Sequence, residues 1–83
     1  MQIFYGGYFD INRKKNNEAL KFFQLNVEEY QGSWNVYDSL GEAYLVLGDK
    51  ENAVRNYNES LILNPENENA KKKLKEIMIG KDK

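Results

Sequence analysis

Cysteine and histidine are absent from this 83-residue chain, and proline occurs once. Without cysteine there is no disulfide framework, no thiol nucleophile and no thiolate metal site. Without histidine the commonest general base and zinc ligand are missing as well. No cofactor and no metal are therefore expected, and most catalytic constellations are excluded. An excess of charge of one sign is also lacking. Twelve Lys and Arg against 13 Asp and Glu leave a net charge of −1, which makes neither a nucleic-acid footprint nor a polybasic membrane anchor. The longest run of bulky apolar residues is Tyr44–Leu47, far short of the roughly 20 residues that span a bilayer. The segment QIFYGGYF after Met1 lacks the basic start, long apolar stretch and cleavage site of a secretory leader. The expectation is a cytoplasmic chain with no nucleic-acid and no membrane partner.

The chain is 41% hydrophobic, enough for one small core and one domain over residues 1–83. At this size a core supplies about 3 to 5 kcal/mol, so each packing contact matters. Gly32, Gly48 and Gly80 each close an apolar-periodic stretch, as a left-handed residue after a helix does. Ser33 and Asp49 follow two of these glycines and have the short polar side chains of N-caps. In the run NPEN (64–67), Asn64 is a cap and Pro65 suits a first helical position. Together these signals predict helices over 16–31, 34–47, 50–63 and 65–79, with connections short enough to force antiparallel hairpins. At the start, bulky residues flank Gly6-Gly7, a pattern open to a β-hairpin or a helix over 2–12. The helix is preferred because no other strand is on offer to complete a sheet.

The sequence also repeats. An offset of 34 aligns Ala19 with Ala53, Leu20 with Val54, Phe23 with Tyr57 and Val27 with Leu61, and such a period marks a helical repeat array. The central unit reads Tyr37-x-x-Leu40-Gly41-x-x-Tyr44, then Ala53-x-x-x-Tyr57, Ser60 and Pro65. It resembles the tetratricopeptide repeat family at each signature position, Ser60 replacing the usual Ala as a small, harmless change. The resemblance implies an all-α fold, with antiparallel helical hairpins stacked as a short α-solenoid. Gly41 and Ala53 would be its close-contact pair, with Tyr44 and Tyr57 filling the space around them. Residues 34–67 make a full repeat and 1–33 a degenerate one, in which Asn26 and Gln31 replace the small apolar residue and the Pro. Its first helix aligns best at an offset of 35, matching Tyr5 to Leu40, Gly6 to Gly41 and Phe9 to Tyr44. Downstream, Lys71 and Lys75 stand in the places of Tyr37 and Gly41, so 65–79 would be a solvated capping helix, followed by a tail over 80–83. A narrower likeness is to the short helical tail that follows the catalytic domain of some bacterial serine hydrolases, carried by SWNVYDSLGEAYL and NPENENAKKKLKEI. No such catalytic domain is present in these residues.

In this family ligands usually lie in a concave groove lined by the first helix of each hairpin. Carried onto this sequence, the groove would present Asn35, Asp38, Glu42 and Leu45 from 34–47, and Asn69, Lys72 and Glu76 from the capping helix. Phe4 and Tyr8 would form an apolar end. The resemblance therefore implies a non-catalytic module that binds a protein or peptide of basic character. Asp38 and Glu42 oppose the acidic chaperone tails that some relatives clamp with Lys and Asn. The alternative is a structural or dimerisation element, either a hydrolase tail or a self-associating short array that forms a homodimer, since about three repeats are normally wanted for stability. The merely solvated face competes with the groove, and core packing competes with a base-stacking role for Tyr37, Tyr44 and Tyr57. No enzyme is expected. Ser33, Ser39 and Ser60 have no His to activate them, and the adjacent Glu28 and Glu29 point about 100° apart on a helix, unable to flank one bond.

Overall fold

In the computed structural model, the backbone is described for residues 2–81 and the side chains for residues 15–80. Four helices follow one another: α1 (Gln2–Glu29), α2 (Trp34–Val46), α3 (Lys50–Leu63) and α4 (Glu68–Lys81), with no strand among the described residues. Packing follows chain order, α1 on α2, α2 on α3 and α3 on α4, and the α2–α3 hairpin is the most extensive of the three. The fold is the all-α stack that the repeat pattern predicts.

The link from α2 to α3 follows the sequence signals closely. Gly48 is left-handed at φ 84°. Its N–H donates to the Leu45 carbonyl at 3.0 Å, while Asp49 N–H reaches the Tyr44 carbonyl at 2.9 Å. This pair of bonds is the Schellman arrangement, satisfying carbonyls that the helix end would leave orphaned. Asp49 then caps α3, its Oδ1 accepting from Asn52 N–H at 3.2 Å and its Oδ2 from the Asn52 side-chain amide at 2.7 Å. These two bonds from Asn52, the side-chain one first, hold the Asp49 carboxyl below its ordinary value.

Four expectations are corrected. Helices over 2–12 and 16–31 are instead one continuous helix, Gln2–Glu29. The stretch DINRKKNNE (10–18), where the link was expected, contains neither Gly nor Pro and so nothing to break a helix. Only Gly48 has a positive φ among the described glycines. Gly80 lies inside α4, and Gly32 sits in a turn closed by Ser33 N–H to the Tyr30 carbonyl at 3.0 Å. Ser33 takes the N-cap position of α2, but its side chain makes no capping bond. Finally, α4 begins at Glu68 rather than Pro65. Asn64, Pro65, Glu66 and Asn67 form a β-turn closed by Asn67 N–H to the Asn64 carbonyl at 3.0 Å, with Pro at its favoured second position. Asn64 Oδ1 accepts from Glu66 N–H, and it is Asn67 whose Oδ1 caps α4 by accepting from Ala70 N–H at 3.2 Å. Both asparagines of NPEN are used, the first for the turn and the second for the helix.

The core is small. Ala53, Tyr57 and Ala70 are fully buried and cluster with Ile77, flanked by Tyr44, Leu45, Val54, Leu61 and Leu74. Leu40 and Gly41 are the buried residues of α2. A Cβ added at Gly41 would stand 3.2 Å from three atoms of the Tyr57 ring, so the ring occupies the space that the missing side chain leaves.

Candidate functional site

The residues expected to line the groove fall on α2 and α4, and they do not behave alike. Asn35, Glu42, Lys72 and Glu76 are exposed. Leu45 is half-buried against the core cluster. Phe4 and Tyr8 belong to α1, but their side chains lie outside the described residues. Asp38 and Asn69 touch each other, the Asn69 amide donating to Asp38 Oδ1 at 2.9 Å and to Oδ2 at 3.2 Å.

Asp38 is thereby part of a polar chain across three helices. The Ser60 hydroxyl on α3 donates to the Trp34 carbonyl at the start of α2, at 2.9 Å. The Asn67 amide donates to Ser60 Oγ at 2.8 Å and to Asp38 Oδ2 at 2.7 Å. With Ser60 at 0% exposure and Asn67 at 5%, these bonds form where an unmade one is expensive. The serine that looks like a harmless variant in sequence is thus a connecting atom, both donor and acceptor. Asn67 has no signal in the repeat spacing, because its partners are seven and 29 residues away.

The phenol of Tyr57 is the exception to this economy. Its hydroxyl is buried and finds no hydrogen-bond partner among the described residues. Burial foremost, followed by the negative charges of Asp38, Glu42 and Glu76, raises its pKa well above the ordinary tyrosine value of 10.0. These three carboxylates, two from α2 and one from α4, therefore act on one buried oxygen. Among the described residues no three acidic groups approach closely enough to hold a metal ion, so the feature is a negative field rather than an ion cage.

A test follows from the orphaned oxygen. Tyr57→Phe removes the desolvated hydroxyl while leaving the ring, and should stabilise the fold by about 1 kcal/mol in a urea titration. Phe23 already occupies the counterpart position in α1. The pKa shift fixes the sign in alkali. A raised folded-state pKa means stability present below about pH 10 and lost above it, because only the unfolded phenol ionises readily. The melting temperature of the native chain should fall more steeply above pH 10 than that of the variant. Parallel curves would contradict the burial of this oxygen.

A concavity of about 330 Å³ opens between α1 and α2. Ala19 and Phe23 of α1 and Ser39, Glu42, Ala43 and Val46 of α2 line it. The Gln24 amide donates to the Tyr44 hydroxyl at 2.9 Å, tying the same two helices. Tyr44 and Tyr57 are thus engaged in packing, and Tyr57 offers no face for stacking a base.

The helix pair α2–α3, the Gly41–Tyr57 contact and the Pro65 turn coincide with a known family. A family model described as a tetratricopeptide repeat matches residues 34–67. Residues 34–67 are a tetratricopeptide repeat. Repeats of this kind generally mediate protein–protein interactions and are typically non-catalytic. No curated protein and no solved structure matches the chain. Within the tetratricopeptide repeat, Tyr37, Leu40, Gly41, Tyr44, Ala53, Tyr57, Ser60 and Pro65 stand at the signature positions, and Asn67 closes the unit by binding Asp38 and Ser60. No helix among the described residues is long and apolar enough to cross a membrane.

Proposed function

We propose that this chain is a protein-interaction module whose α2–α4 face receives a peptide segment carrying basic and apolar side chains. The observation that carries the reading is the Asn69–Asp38 hydrogen bonding that brings α4 against α2, with exposed Glu42 and Glu76 on the same two helices, so that the carboxylates outweigh the cations among the candidate residues. Leu45 supplies apolar surface beside them, and Lys72 is the single opposing charge among the described candidate residues. The tetratricopeptide repeat supports a protein as partner, and the carboxylates support a basic one.

The hydrogen bonds decide how to test it. Asp38 is held by Asn67 and Asn69, so replacing it would disturb the fold together with the face. Glu42 and Glu76 are exposed and bond no other described residue. The double variant Glu42→Lys, Glu76→Lys should keep its melting temperature. On arrays of matched Lys/Arg-rich and Asp/Glu-rich peptides, the native chain should retain the basic set. The variant should lose at least about tenfold in affinity, or about 1.4 kcal/mol. Retention of acidic peptides by the native chain, or no loss in the variant, would sink the proposal.

A further inference from the structure

Packing in a repeat array should recur with the repeat, and in this chain it recurs on one side only. The second half of α1 is the counterpart of α3 at an offset of 34. In α3, Ala53 and Tyr57 are at 0% exposure, the Tyr57 ring lying against Gly41 of α2, and Asn56, one turn from Ala53, is half-buried. Their counterparts in α1 are Ala19, Phe23 and Phe22. Ala19 is exposed, Phe22 is 60% exposed and Phe23 is half-buried. Positions that α3 shelters are thus left to solvent in α1. α1 has α2 on one side, through Gln24 and Tyr44. It lacks the second neighbour that α2 provides for α3.

The missing neighbour is a helix like α2, with its Leu40-Gly41-x-x-Tyr44 pattern. The chain contains one such pattern more, Tyr5-Gly6-x-x-Phe9, in the first half of α1 itself. Because α1 is unbroken from Gln2 to Glu29, a rod of about 40 Å, its first half has no way to fold back onto its second. The first half of another copy does. We propose that α1 pairs antiparallel with α1 of a second copy, each copy's residues 2–12 covering Ala19, Phe22 and Phe23 of the other. The Gly41–Tyr57 contact sets the register, placing Gly6 against Phe23 of the second copy. The same register runs the pairing along nearly all of α1 and puts the two-fold axis between residues 14 and 15. The contact is isologous, so it closes as a dimer and does not propagate. Glu42 lines the concavity beside Ala19 and Phe23, so this surface adjoins the α2–α4 face, but the pairing does not rest on what binds there.

The full-length chain tests this directly, and the absence of cysteine makes single spin labels unambiguous. Sedimentation equilibrium should show a dimer at submillimolar concentration. A label at Lys15→Cys lies beside its symmetry mate and should report a separation under about 20 Å, whereas a label at Glu28→Cys should report about 40 Å. Phe22→Glu should give a monomer with unchanged helix content by circular dichroism, and Phe22→Leu should still dimerise. A monomer at submillimolar concentration, a Glu28 separation shorter than that at Lys15, or a dimer that survives Phe22→Glu would each overturn the proposal.

Discussion

Asn67→Ala is expected to remove most of the stability of this chain. Asn67 is the one residue that joins all three helices of the repeat and its cap. Its amide bonds Ser60 of α3 and Asp38 of α2 at 2.8 and 2.7 Å, and its Oδ1 receives Ala70 N–H of α4 at 3.2 Å. Truncation leaves the N–H of the fully buried Ala70 without an acceptor and takes one bond each from Ser60 and Asp38. A lost cap costs about 1 kcal/mol and a buried group left unmade about 1 to 3, so a loss of about 2 to 4 kcal/mol follows. Against a total of about 3 to 5 kcal/mol for a core of this size, the variant should be largely unfolded in modest urea. Asn64→Ala is the control from the same NPEN run. Its Oδ1 accepts only from Glu66 N–H in an exposed turn, so a change within about 0.5 kcal/mol is expected. Ser60→Ala should be non-additive with Asn67→Ala, because each removes the same bond. Equal costs for Asn64 and Asn67 would mean that the polar chain does not hold the helices together.

The contrast between these asparagines shows which parts of the molecule are legible in sequence. Caps and stops that act within a few residues are readable, as the Gly48 link and the Asp49 cap demonstrate, because their hydrogen bonds are local. The NPEN run is read half-correctly for the same reason. Asn-Pro marks a local change of direction, but which Asn starts the helix depends on distant partners at Asp38 and Ser60. The apolar signature of the repeat is legible because its 34-residue spacing reports packing between neighbouring helices. The α1 helix was not, since nothing in DINRKKNNE contradicts either a link or a helix until the rest of the chain is placed. The candidate face is legible only as a set of residues on two helices. That Asp38 is bound into the fold while Glu42 and Glu76 bond no other described residue follows from side-chain geometry, which spacing does not encode. The Ser60 substitution makes the same point at a single atom: size is visible in the family pattern, whereas the direction of a hydroxyl is not.

Gly41→Leu should be the most damaging change in the apolar core. Glycine inside a helix costs roughly 1 kcal/mol relative to alanine, so a benefit elsewhere must offset it, and the Tyr57 ring is where that benefit lies. An alanine Cβ would stand 3.2 Å from three ring atoms, close enough that the ring must give by a few tenths of an ångström. For Gly41→Ala the gain in propensity and the strain are of similar size, and the melting temperature should hardly move. Leucine adds three more carbons that have no space, because Tyr57 is wholly buried and packs with Ala53, Ala70 and Ile77. Displacing the ring therefore disturbs α4 as well as the α2–α3 hairpin. Overpacking typically costs about 1 to 3 kcal/mol, and a rigid neighbour places this site near the upper end. For a domain of this size that is a fall of roughly 10 to 20 °C in Tm. The diagnostic is rescue. Gly41→Leu combined with Tyr57→Val restores room where the ring was, and should recover part of the loss although each change alone is destabilising. A double variant no better than Gly41→Leu would show that some contact other than the Tyr57 ring limits the approach of α2 and α3.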